Sequence, residues 1–357
     1  MEYRVLDLFC GAGGLSLGFQ NAGFKIIGGV DFDKAAMETH SFNFNSDFEY
    51  CGDISQIDDE KIDDLKNQVD VIIGGPPCQG FSSANRYTKE EDDPRNKLFF
   101  QYIRFVKTIL PKMFLIENVP GILTRNNGYA KSKIIEITEN LGYKVEVKVL
   151  SSDEYGVPQK RTRAFFVGVR NDLNEAFDFN SIQSVFEKKT VKDAIGDLER
   201  LETNTNFNTL SNQHRNELQD YYYNPLSDEI PNHDISTHNS LVVERIKHVP
   251  QGGNWRDVPE HLWETKRTNR HSSAYKRLDY SKPSITIDTG HMNYFHPVFH
   301  RVPTVRESAR IQTFKDSFVF KGTKTQQYRQ VGNAVPPLLA QAIATEFKKL
   351  LDKERSK

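Results

Sequence analysis

The sequence predicts an α/β protein that combines a doubly wound, Rossmann-like sheet with a smaller, loop-rich domain. Through about residue 170, short β-rich apolar runs alternate with amphipathic stretches, which is typical of βαβ units in a mostly parallel sheet. From about residue 187 the pattern becomes polar and irregular, and nine of the ten histidines lie beyond this point. Periodic helical sequence returns near "TVRESARIQTF". We therefore predict a first domain over 1–186, a second over 187–305, and a return segment over 306–357 that completes the first.

Six apolar runs are predicted to be the strands of the first domain. In order, they are "YRVLDLFC", "FKIIGGVD", "VDVIIGG", "KMFLIENV", "YKVEVKVL" and "RAFFVGVR". The stretch "LFFQYIRFVKTIL" is predicted to be a helix that Pro111 ends before the fourth strand begins. Thr304 and Glu307 have the spacing of a capping box at the start of a later helix, and "QVGNAVPPLLAQAIATEFKKLL" is predicted to be a loop followed by a C-terminal helix.

Composition excludes several classes of protein. The 357 residues contain no apolar run near the roughly 18 residues that a membrane span needs. "MEYRVLDLFC" carries an acid where a signal peptide would carry positive charge, so we expect a cytoplasmic protein. The three cysteines, Cys10, Cys51 and Cys78, are odd in number and lack CxxC spacing, which argues against a disulfide framework and against a zinc knuckle.

The charge distribution is more informative than the net charge. A formal net charge of −1 does not indicate a nucleic-acid partner. Residues 43–70, however, carry nine acids against two lysines, whereas residues 241–282 carry nine Lys and Arg against five acids. The second segment is a candidate surface for a polyanion, although mixed-sign segments of this kind are equally typical of an ordinary solvated surface.

The start of the chain has features of a nucleotide site. "VLDLFCGAGGLSLGF" predicts a strand, a glycine turn and a helix start, where backbone N–H groups can meet a ligand. Ser16 stands where the dinucleotide fingerprint needs a third glycine after Gly11 and Gly13, so a nicotinamide dehydrogenase is disfavoured. Asp31 is placed to accept hydrogen bonds from ribose hydroxyls, and Asp53 to accept one from an adenine amino group. Together these features predict an adenosine-containing ligand, whereas the turn alone would also fit a purely structural connection.

Two reactive side chains follow predicted strands, at the edge where doubly wound sheets bind ligands. Cys78 follows "DVIIGG", and Pro76 and Pro77 stiffen the backbone that presents its thiol. A packing residue would not need that rigidity, although a lone cysteine is otherwise typical of a buried packing position. Glu117 follows the four apolar residues "MFLI", and a carboxylate there favours a functional or paired group over a solvated acid.

Arginines precede the last predicted strand, in "GVPQKRTRAFFVG". Arg161 and Arg163 share one face if the strand includes both. Two guanidinium groups on one face suit an oxyanion, a phosphate or a thiolate. An exposed edge strand with ordinary charges would have the same sequence pattern.

Seven ordered segments resemble the motifs of DNA (cytosine-5)-methyltransferases. They are "DLFCGAGGLSLGF", "GGPPCQGFS", "DPRNKLFF", "ENVPG", "QKRTR", "RVPTVRESARIQTF" and "QVGNAVPP". The match covers nearly the whole chain except about 187 to 300, where members of the family carry their target recognition region. The resemblance implies an S-adenosylmethionine-dependent methyltransferase domain with a target recognition domain over 187–305. It also implies that the chain methylates C5 of a flipped cytosine in a short, specific site of double-stranded DNA and releases S-adenosylhomocysteine.

The resemblance implies a role for each residue of the site. Cys78 would add to C6 of cytosine, because C5 is too weakly nucleophilic to take a methyl group directly. Glu117 would donate to N3 of the ring, and Arg163, with Arg161 nearby, would hold the exocyclic oxygen and a nearby phosphate. The residues implied in the cofactor pocket are Phe9, Gly11, Gly13, Asp31, Phe32, Asp53, Ile54, Pro77, Leu98 and Asn333. Asp31 departs from the family, in which the longer glutamate is commoner.

The basic stretch 241–282 is predicted to read the base pairs beside the target. The catalytic and cofactor motifs all act on the flipped cytosine or its methyl donor, so other side chains must enter the major groove. The candidate readers are Arg256, Arg267 and Arg270. Trp255, next to Arg256, is more simply interpreted as a core anchor.

No metal site is predicted. His291, His296 and His300 lie close together in "HMNYFHPVFH", but no cysteine or paired acid completes a ligand set. Pro297 also breaks the helical spacing that would bring such histidines to one face.

Two other functions stay open at this point. A tRNA cytosine-5 methyltransferase would share the architecture, but the variable region here is large and lacks the Cys-Phe-Thr sequence of such enzymes. A catalytically silent DNA-binding module would not need Cys78 and Glu117, and a methyl-transfer assay would separate it from an enzyme. The resemblance is to the prokaryotic restriction-modification type. We therefore expect a monomer whose methylation protects DNA from a cognate restriction endonuclease that acts separately.

Overall fold

A computed structural model of the chain describes residues 2–77, 97–199, 215–227, 229–263, 274–290 and 293–356. The backbone divides into two compact units, which we call the first unit and the second unit. The first unit comprises Met1–Ser151, Thr162–Val185 and Val335–Lys357, and the second comprises Ser152–Arg161 and Phe186–Ala334. The boundaries predicted from the sequence were 186 and 306, whereas the compact units change at Val185 and at Val335.

Seven strands of the described chain form one sheet in the first unit, in the order β3-β2-β1-β4-β5-β7-β6. The strands are β1 (Arg4–Leu8), β2 (Lys25–Asp31), β3 (Phe48–Cys51), β4 (Val71–Gly74), β5 (Met113–Asn118), β6 (Tyr143–Ser151) and β7 (Thr162–Arg170). Neighbouring strands from β3 to β5 are parallel, and β7 is antiparallel to both β5 and β6. The mostly parallel sheet predicted from the sequence is confirmed.

The sequence explains most of these strands and one omission. Val71, Ile72 and Ile73 are fully buried, which is why β4 is a continuous apolar run, as expected of a central strand covered on both faces. The sequence did not predict β3, because "FEYC" is short, half-buried and set in an acidic stretch. It pairs with β2 alone and forms one edge of the sheet.

The helices alternate with the strands as predicted. In chain order they are α1 (Gly14–Asn21), α2 (Lys34–Phe44), α3 (Asp59–Asp63), α4 (Lys97–Ile109), α5 (Tyr129–Asn140), α6 (Val191–Ile195), α7 (Glu217–Tyr222), α8 (Ser240–Lys247), α9 (Val305–Ile311), α10 (Lys324–Asn333) and α11 (Pro337–Arg355). Helix α4 ends two residues before Pro111, as the sequence predicts. At the start of α2 the Asp33 side chain accepts hydrogen bonds from the Ala35 and Ala36 amides, at 2.9 and 3.1 Å. No described helix has both the length and the apolar character that a membrane span requires.

The C-terminal helix α11 packs against α1 within the first unit. Gly18 of α1 permits this close approach, because a Cβ at this position would lie 2.3 Å from Ala340 Cβ and 2.7 Å from the Gln341 amide nitrogen. Phe347 of α11 adds an edge-on contact with Phe19, with ring centroids 5.4 Å apart. The last segment of the chain is therefore part of the first unit's core.

Buried arginines organise the second unit. Its strands in the described chain are the short pair β8 (Lys276–Arg277) and β9 (Tyr294–Phe295). Arg306 of α9 donates to the carbonyl oxygens of Pro231, Lys315 and Phe318, at 2.5 to 2.9 Å. Arg310, one turn later, pairs with Asp197 and Asp316. These contacts explain why "TVRESARIQTF" belongs to the second unit rather than to the return segment.

The capping box predicted at Thr304 and Glu307 is confirmed. The Thr304 hydroxyl accepts from the Glu307 amide, and a Glu307 carboxylate oxygen accepts from the Thr304 amide at 2.7 Å. The same carboxylate accepts two hydrogen bonds from Arg301, both at 2.8 Å. Although burial opposes the charged form, the hydrogen bonds from Arg301 lower the pKa of Glu307 to about 2.

We predict that Gly18→Ala destabilises the chain by about 1–3 kcal/mol, in spite of the better helix propensity of alanine, because the added methyl group meets α11 backbone. Urea unfolding of the wild type and the variant measures the difference. Gln20→Ala is the matched control, since Gln20 is an exposed residue of the same helix. Equal free energies of unfolding of Gly18→Ala and the wild type would show that α11 does not pack against α1 as closely as described.

Candidate active site

The carboxyl end of β5 carries an ion pair. Glu117 and Asn118 are the last residues of β5, after Met113 to Ile116, which are fully buried. Arg163 Nε lies 2.9 Å from Glu117 Oε1 in an ion pair, and both side chains are mostly buried, with 17% of Arg163 and 14% of Glu117 exposed. Arg163 lies at the start of β7, which runs antiparallel to β5, so it reaches the edge at which β5 ends.

The segment that leads to Cys78 is held against this pair. In the parallel ladder of β4 and β5, Gly74 lies opposite Ile116, so the residues after both strands meet. A Cβ on Gly75 would lie 3.1 Å from Glu117 Oε2, and glycine leaves this space open. The Asn118 side-chain amide donates to the Pro76 carbonyl oxygen at 2.9 Å. Cys78 itself lies outside the described residues, but the chain is fixed beside Glu117 two residues before it.

The turn after β1 has the backbone that its glycines predict. Gly11 and Gly13 have φ angles of +54° and +98°, in the left-handed region that glycine adopts at low cost. A Cβ on Gly13 would lie 2.3 Å from the Phe44 ring, whereas a Cβ on Gly11 would meet nothing within 4 Å. Phe9 also has a positive φ of +61°, a strained conformation for a residue with a bulky side chain. The turn therefore faces open space at Gly11 and is closely packed at Gly13.

Asp31 ends β2 and is tied to this turn. Its Oδ2 accepts from the Gly11 amide and its Oδ1 from the Asp33 amide, both at 2.8 Å. Burial raises the pKa of the Asp31 carboxyl, although these amide hydrogen bonds favour its charged form. The next residue, Phe32, has 79% of its surface exposed, which is unusual for an aromatic side chain of this size.

Asp53 and Ile54 form the turn after β3. Asp53 caps the short 3₁₀ helix Ile54–Gln56, and its Oδ1 accepts from the Ser55 amide at 2.9 Å. This hydrogen bond lowers the pKa of Asp53. The Ile54 side chain is 3% exposed and belongs to the hydrophobic core, so it anchors the turn to the core.

The remaining predicted cofactor residues lie in both units. Pro77 is exposed beyond the buried Pro76. Leu98, in the first turn of α4, is half-buried and packs on the core of the first unit. Asn333 ends α10 in the second unit, and its carbonyl oxygen accepts from Arg161 Nη2 at 3.2 Å. Its role toward a cofactor stays a prediction.

Arg161 and Arg163 do not share one face of a strand, which corrects the expectation from the sequence. Strand β7 begins at Thr162, and Arg161 belongs to the second unit. The Arg161 guanidinium is 3% exposed and donates to the carbonyl oxygens of Gly332 and Asn333, at 2.9 and 3.2 Å. Because of these hydrogen bonds, the Arg161 side chain does not follow the alternation of side chains along β7. They assign Arg161 a structural function, while its catalytic role stays a prediction.

A buried polar chain below the glycine turn was not predicted. The Ser16 hydroxyl donates to Asp7 Oδ2 at 2.7 Å and lies 3.2 Å from His40 Nε2, and His40 Nδ1 lies 2.9 Å from Glu49 Oε1. Burial raises the pKa of the Asp7 carboxyl to about 7. The sequence signal was an acid inside the apolar run "VLDLF", where a charge needs a partner.

The predicted DNA readers are only partly described. Arg267 and Arg270 lie outside the described residues. Arg256 is exposed, and its guanidinium carbon lies 5.4 Å from the centre of the half-buried Trp255 ring. Trp255 is therefore a partly exposed platform for Arg256 rather than the core anchor that the sequence suggested.

The histidines near residue 296 are bound by protein groups. His296 is fully buried, and its Nδ1 accepts from the amides of Val298 and Phe299, both at 3.1 Å. Burial lowers the pKa of His296 to about 4. His300 Nδ1 lies 3.0 Å from Arg277 Nη2, and His291 lies outside the described residues.

Comparison with known proteins gives a consistent result along the chain. Residues 3–349 match the family model described as C-5 cytosine-specific DNA methylase. The type II methyltransferase M1.HphI of Haemophilus parahaemolyticus is 39% identical over 353 residues, which cover 98% of this chain and 88% of that protein. M.DdeI of Desulfomicrobium norvegicum is 37% identical over 375 residues, which cover 96% of this chain and 87% of that protein.

Solved structures share the fold. A prophage-encoded protein of E. coli, assigned as a DNA modification methyltransferase, superposes with a TM-score of 0.75 and 30% identity, over 98% of this chain and all of that one. The Entamoeba histolytica methyltransferase EhMeth, at 18% identity and a TM-score of 0.61, covers 99% of both chains and supports the fold alone.

We predict that Asp7→Asn removes a pH dependence of stability. Between about pH 4 and pH 7, the folded wild type holds a proton on Asp7 that the unfolded chain has released. The wild-type free energy of unfolding should therefore fall relative to that of the variant as the pH rises through this range, by about 4 kcal/mol at most, and then stay level.

Urea unfolding at a series of pH values measures this difference. Asp172→Asn is the control, because the hydrogen bond from Arg170 lowers the pKa of Asp172, which is the opposite direction from Asp7, so this group should not make the wild type lose stability as the pH rises. A difference between Asp7→Asn and the wild type that stays constant from pH 4 to pH 8 would contradict the assignment.

Proposed function

Because this chain belongs to the C-5 cytosine-specific DNA methylase family, we propose that it methylates C5 of a flipped cytosine within a short, specific site of duplex DNA. The observation that carries the proposal is the Glu117–Arg163 pair at the carboxyl end of β5. The segment Gly75 to Pro77 leads from this pair to Cys78. A carboxyl group and a guanidinium group thus lie together at this edge, and we infer that the Cys78 thiol acts with them on one planar base.

In the proposed reaction, a nucleophile adds to the cytosine ring before C5 takes the methyl group. The Cys78 thiolate adds to C6 of cytosine, a bond forms between Sγ and C6, and the electron pair moves toward C5. C5 then takes the methyl group, its proton leaves, and the electron pair that returns to the ring expels the thiolate. Since base stacking hides C6 in the duplex, the target must be extruded from the helix.

Glu117 and Arg163 would bind the polar edge of the extruded base. Glu117 holds a proton at N3 as the ring gains electron density, and Arg163 donates to the exocyclic oxygen. Arg163 is already paired with Glu117 Oε1, so the two side chains are oriented before the base arrives. A side chain at Gly75 would crowd the second oxygen of Glu117, because its Cβ would lie 3.1 Å from Oε2.

The first unit fits S-adenosylmethionine as the methyl donor. That cofactor supplies an electrophilic methyl group on a sulfonium centre. Asp31, with both oxygens oriented by amide hydrogen bonds, would accept from the ribose hydroxyls, and the exposed Phe32 ring would cover the adenine face. Asp53 and Ile54 would bind the adenine edge. The open space at Gly11 suits the methionine part. Phe9, Gly13, Pro77 and Leu98 would complete the pocket in the first unit, and the proposed cofactor role of Asn333 rests on the family resemblance alone.

Sequence recognition is proposed for the second unit. Arg256, Arg267 and Arg270 belong to the basic stretch 241–282, and arginine binds guanine in the major groove through two hydrogen bonds. Arg256 has the exposure that such a reader needs. Each correct contact of this kind discriminates by about 1–3 kcal/mol.

The relatives named above are type II methyltransferases, which supports a role in a restriction-modification system. In that role the chain acts as a monomer in the cytoplasm, where its DNA substrate lies, and a cognate endonuclease cuts unmodified sites as a separate protein. The tRNA alternative has less support, because the family model that the chain matches is described as a DNA methylase. A silent binding module would have no use for the Glu117–Arg163 pair.

We predict that DNA from cells expressing the chain carries C5-methylated cytosine in one short sequence, and that Cys78→Ser abolishes this methylation. Serine is far less ionised than cysteine near neutral pH and cannot supply the nucleophile. Bisulfite sequencing of both DNA samples measures the outcome. Full conversion of every cytosine with the wild type, together with protected cytosines in tRNA, would overturn the DNA assignment in favour of the tRNA alternative.

We predict that Glu117→Gln lowers the single-turnover rate of methyl transfer by about 10²–10⁴-fold, because the amide cannot supply the proton at N3. DNA affinity should change much less. Glu146→Gln, in β6 of the same sheet, is the matched control and should leave the rate unchanged. If Glu117→Gln retained the wild-type rate, Glu117 would be only the structural partner of Arg163.

A further inference from the structure

Arg104 of α4 reaches the turn that follows β3. Its Nη2 donates to the carbonyl oxygens of Ile54 and Ile57, at 3.1 and 2.9 Å. Its Nη1 donates to Asp59 Oδ1 at 3.1 Å. One guanidinium group therefore joins both ends of the short 3₁₀ helix Ile54–Gln56 to α4.

This contact is suited to fixing a backbone rather than to pairing a charge. Asp59 has 78% of its side chain exposed, so the ion pair itself contributes little. The two carbonyl oxygens are different, because hydrogen bonds from a charged donor to backbone oxygens are strong and directional. Guanidinium is planar, so the N–H groups of Nη2 point in fixed directions toward the two carbonyl oxygens while Nη1 binds Asp59.

The turn that Arg104 holds carries residues of the proposed adenine site. Asp53 caps the turn through its Oδ1, and the Ile54 side chain anchors it in the core. The Tyr50 hydroxyl adds a hydrogen bond to the Asp53 carbonyl oxygen at 3.4 Å. Without Arg104, the Asp53–Ile54 backbone would be fixed on the core side but not on the side of α4.

We propose that Arg104 is a positioning residue that sets the selectivity of the cofactor site for adenine over other purines. This inference rests on the proposed function, because it assumes that the Asp53–Ile54 turn meets the base of the cofactor. Selectivity at a hydrogen-bonding edge depends on donors and acceptors held at fixed positions. A turn that is free to shift the Asp53 carboxylate away from the 6-position would weaken the hydrogen bond from the adenine amino group and relieve the repulsion from a hypoxanthine carbonyl oxygen.

The experiment compares two ligands that differ only at this edge. S-adenosylhomocysteine carries the 6-amino group of adenine, and S-inosylhomocysteine carries a carbonyl oxygen in its place. Calorimetric titration of the wild type should show a clear preference for the adenine ligand. In Arg104→Met this preference should fall by about tenfold, mainly through weaker binding of S-adenosylhomocysteine. Arg104→Lys, which keeps the charge but loses the fork, should give an intermediate preference.

Arg170→Met is the matched control. Arg170 also lies in the first unit, pairs with Asp172 and donates to the Leu110 carbonyl oxygen, but at the far end of β7 from Arg163. Its replacement should leave the adenine preference unchanged. Thermal unfolding of each variant identifies any that does not fold, in which case Arg104→Lys carries the test.

The outcomes separate this inference from the proposed function. A wild type that bound neither ligand would overturn the cofactor assignment and this inference with it. If the wild type preferred adenine and both Arg104 variants kept the full preference, the proposed function would stand and the positioning role would fall. An equal loss of affinity for both ligands would also reject it, because a general loss of stability is not selective.

Discussion

The parallel pairing of β4 with β5 is the constraint on which the geometry of the candidate active site depends. Because Gly74 lies opposite Ile116, the chain leaving β4 and the chain leaving β5 emerge side by side. Gly75 can then approach Glu117, and Asn118 can bind the Pro76 carbonyl oxygen. The reversed direction of β7 completes the arrangement. Arg163 is the second residue of β7, and only an antiparallel strand brings its beginning to the edge where β5 ends. If β7 were parallel to β5, its first residues would lie at the amino end of β5, and the Arg163 guanidinium would lie there with them.

The sequence predicted those features that depend on residues close together along the chain. The apolar runs identified all strands of the seven-stranded sheet except β3. Glu117 was predicted to be a functional or paired group because it directly follows a buried strand, and its ion pair with Arg163 shows the pairing. Prediction from the sequence failed where the deciding partner is distant along the chain. Arg161 has the spacing of a strand residue, but carbonyl oxygens at positions 332 and 333 hold its side chain before the strand begins. The Asp7–Ser16–His40 chain is likewise invisible to periodicity, since its members come from β1, α1 and α2 and meet only in the fold.

One motif that carries the family resemblance is structural in this chain. In "RVPTVRESARIQTF", Arg301, Arg306 and Arg310 are all buried, and their contacts are with carboxylates and backbone carbonyl oxygens of the second unit. Such charges are costly to bury, and removing a single partner would leave an uncompensated charge in the interior. A segment of this kind tolerates few substitutions for reasons of folding alone. Motif content and chemical role are therefore separate properties, and only contacts such as those of Glu117 and Arg163 distinguish them.

The hydrogen bonds of Asp31 have a consequence for the thermodynamics of cofactor binding. Both carboxylate oxygens are oriented by the Gly11 and Asp33 amides, so the proposed acceptor for a ribose is ordered when the chain folds. The conformational entropy of that ordering is lost on folding and is not lost again when a ligand arrives. A ligand should therefore bind to a preorganised site. The heat-capacity change of binding should reflect the burial of exposed groups such as Phe32, and not a folding of the turn that carries Asp31 and Phe32.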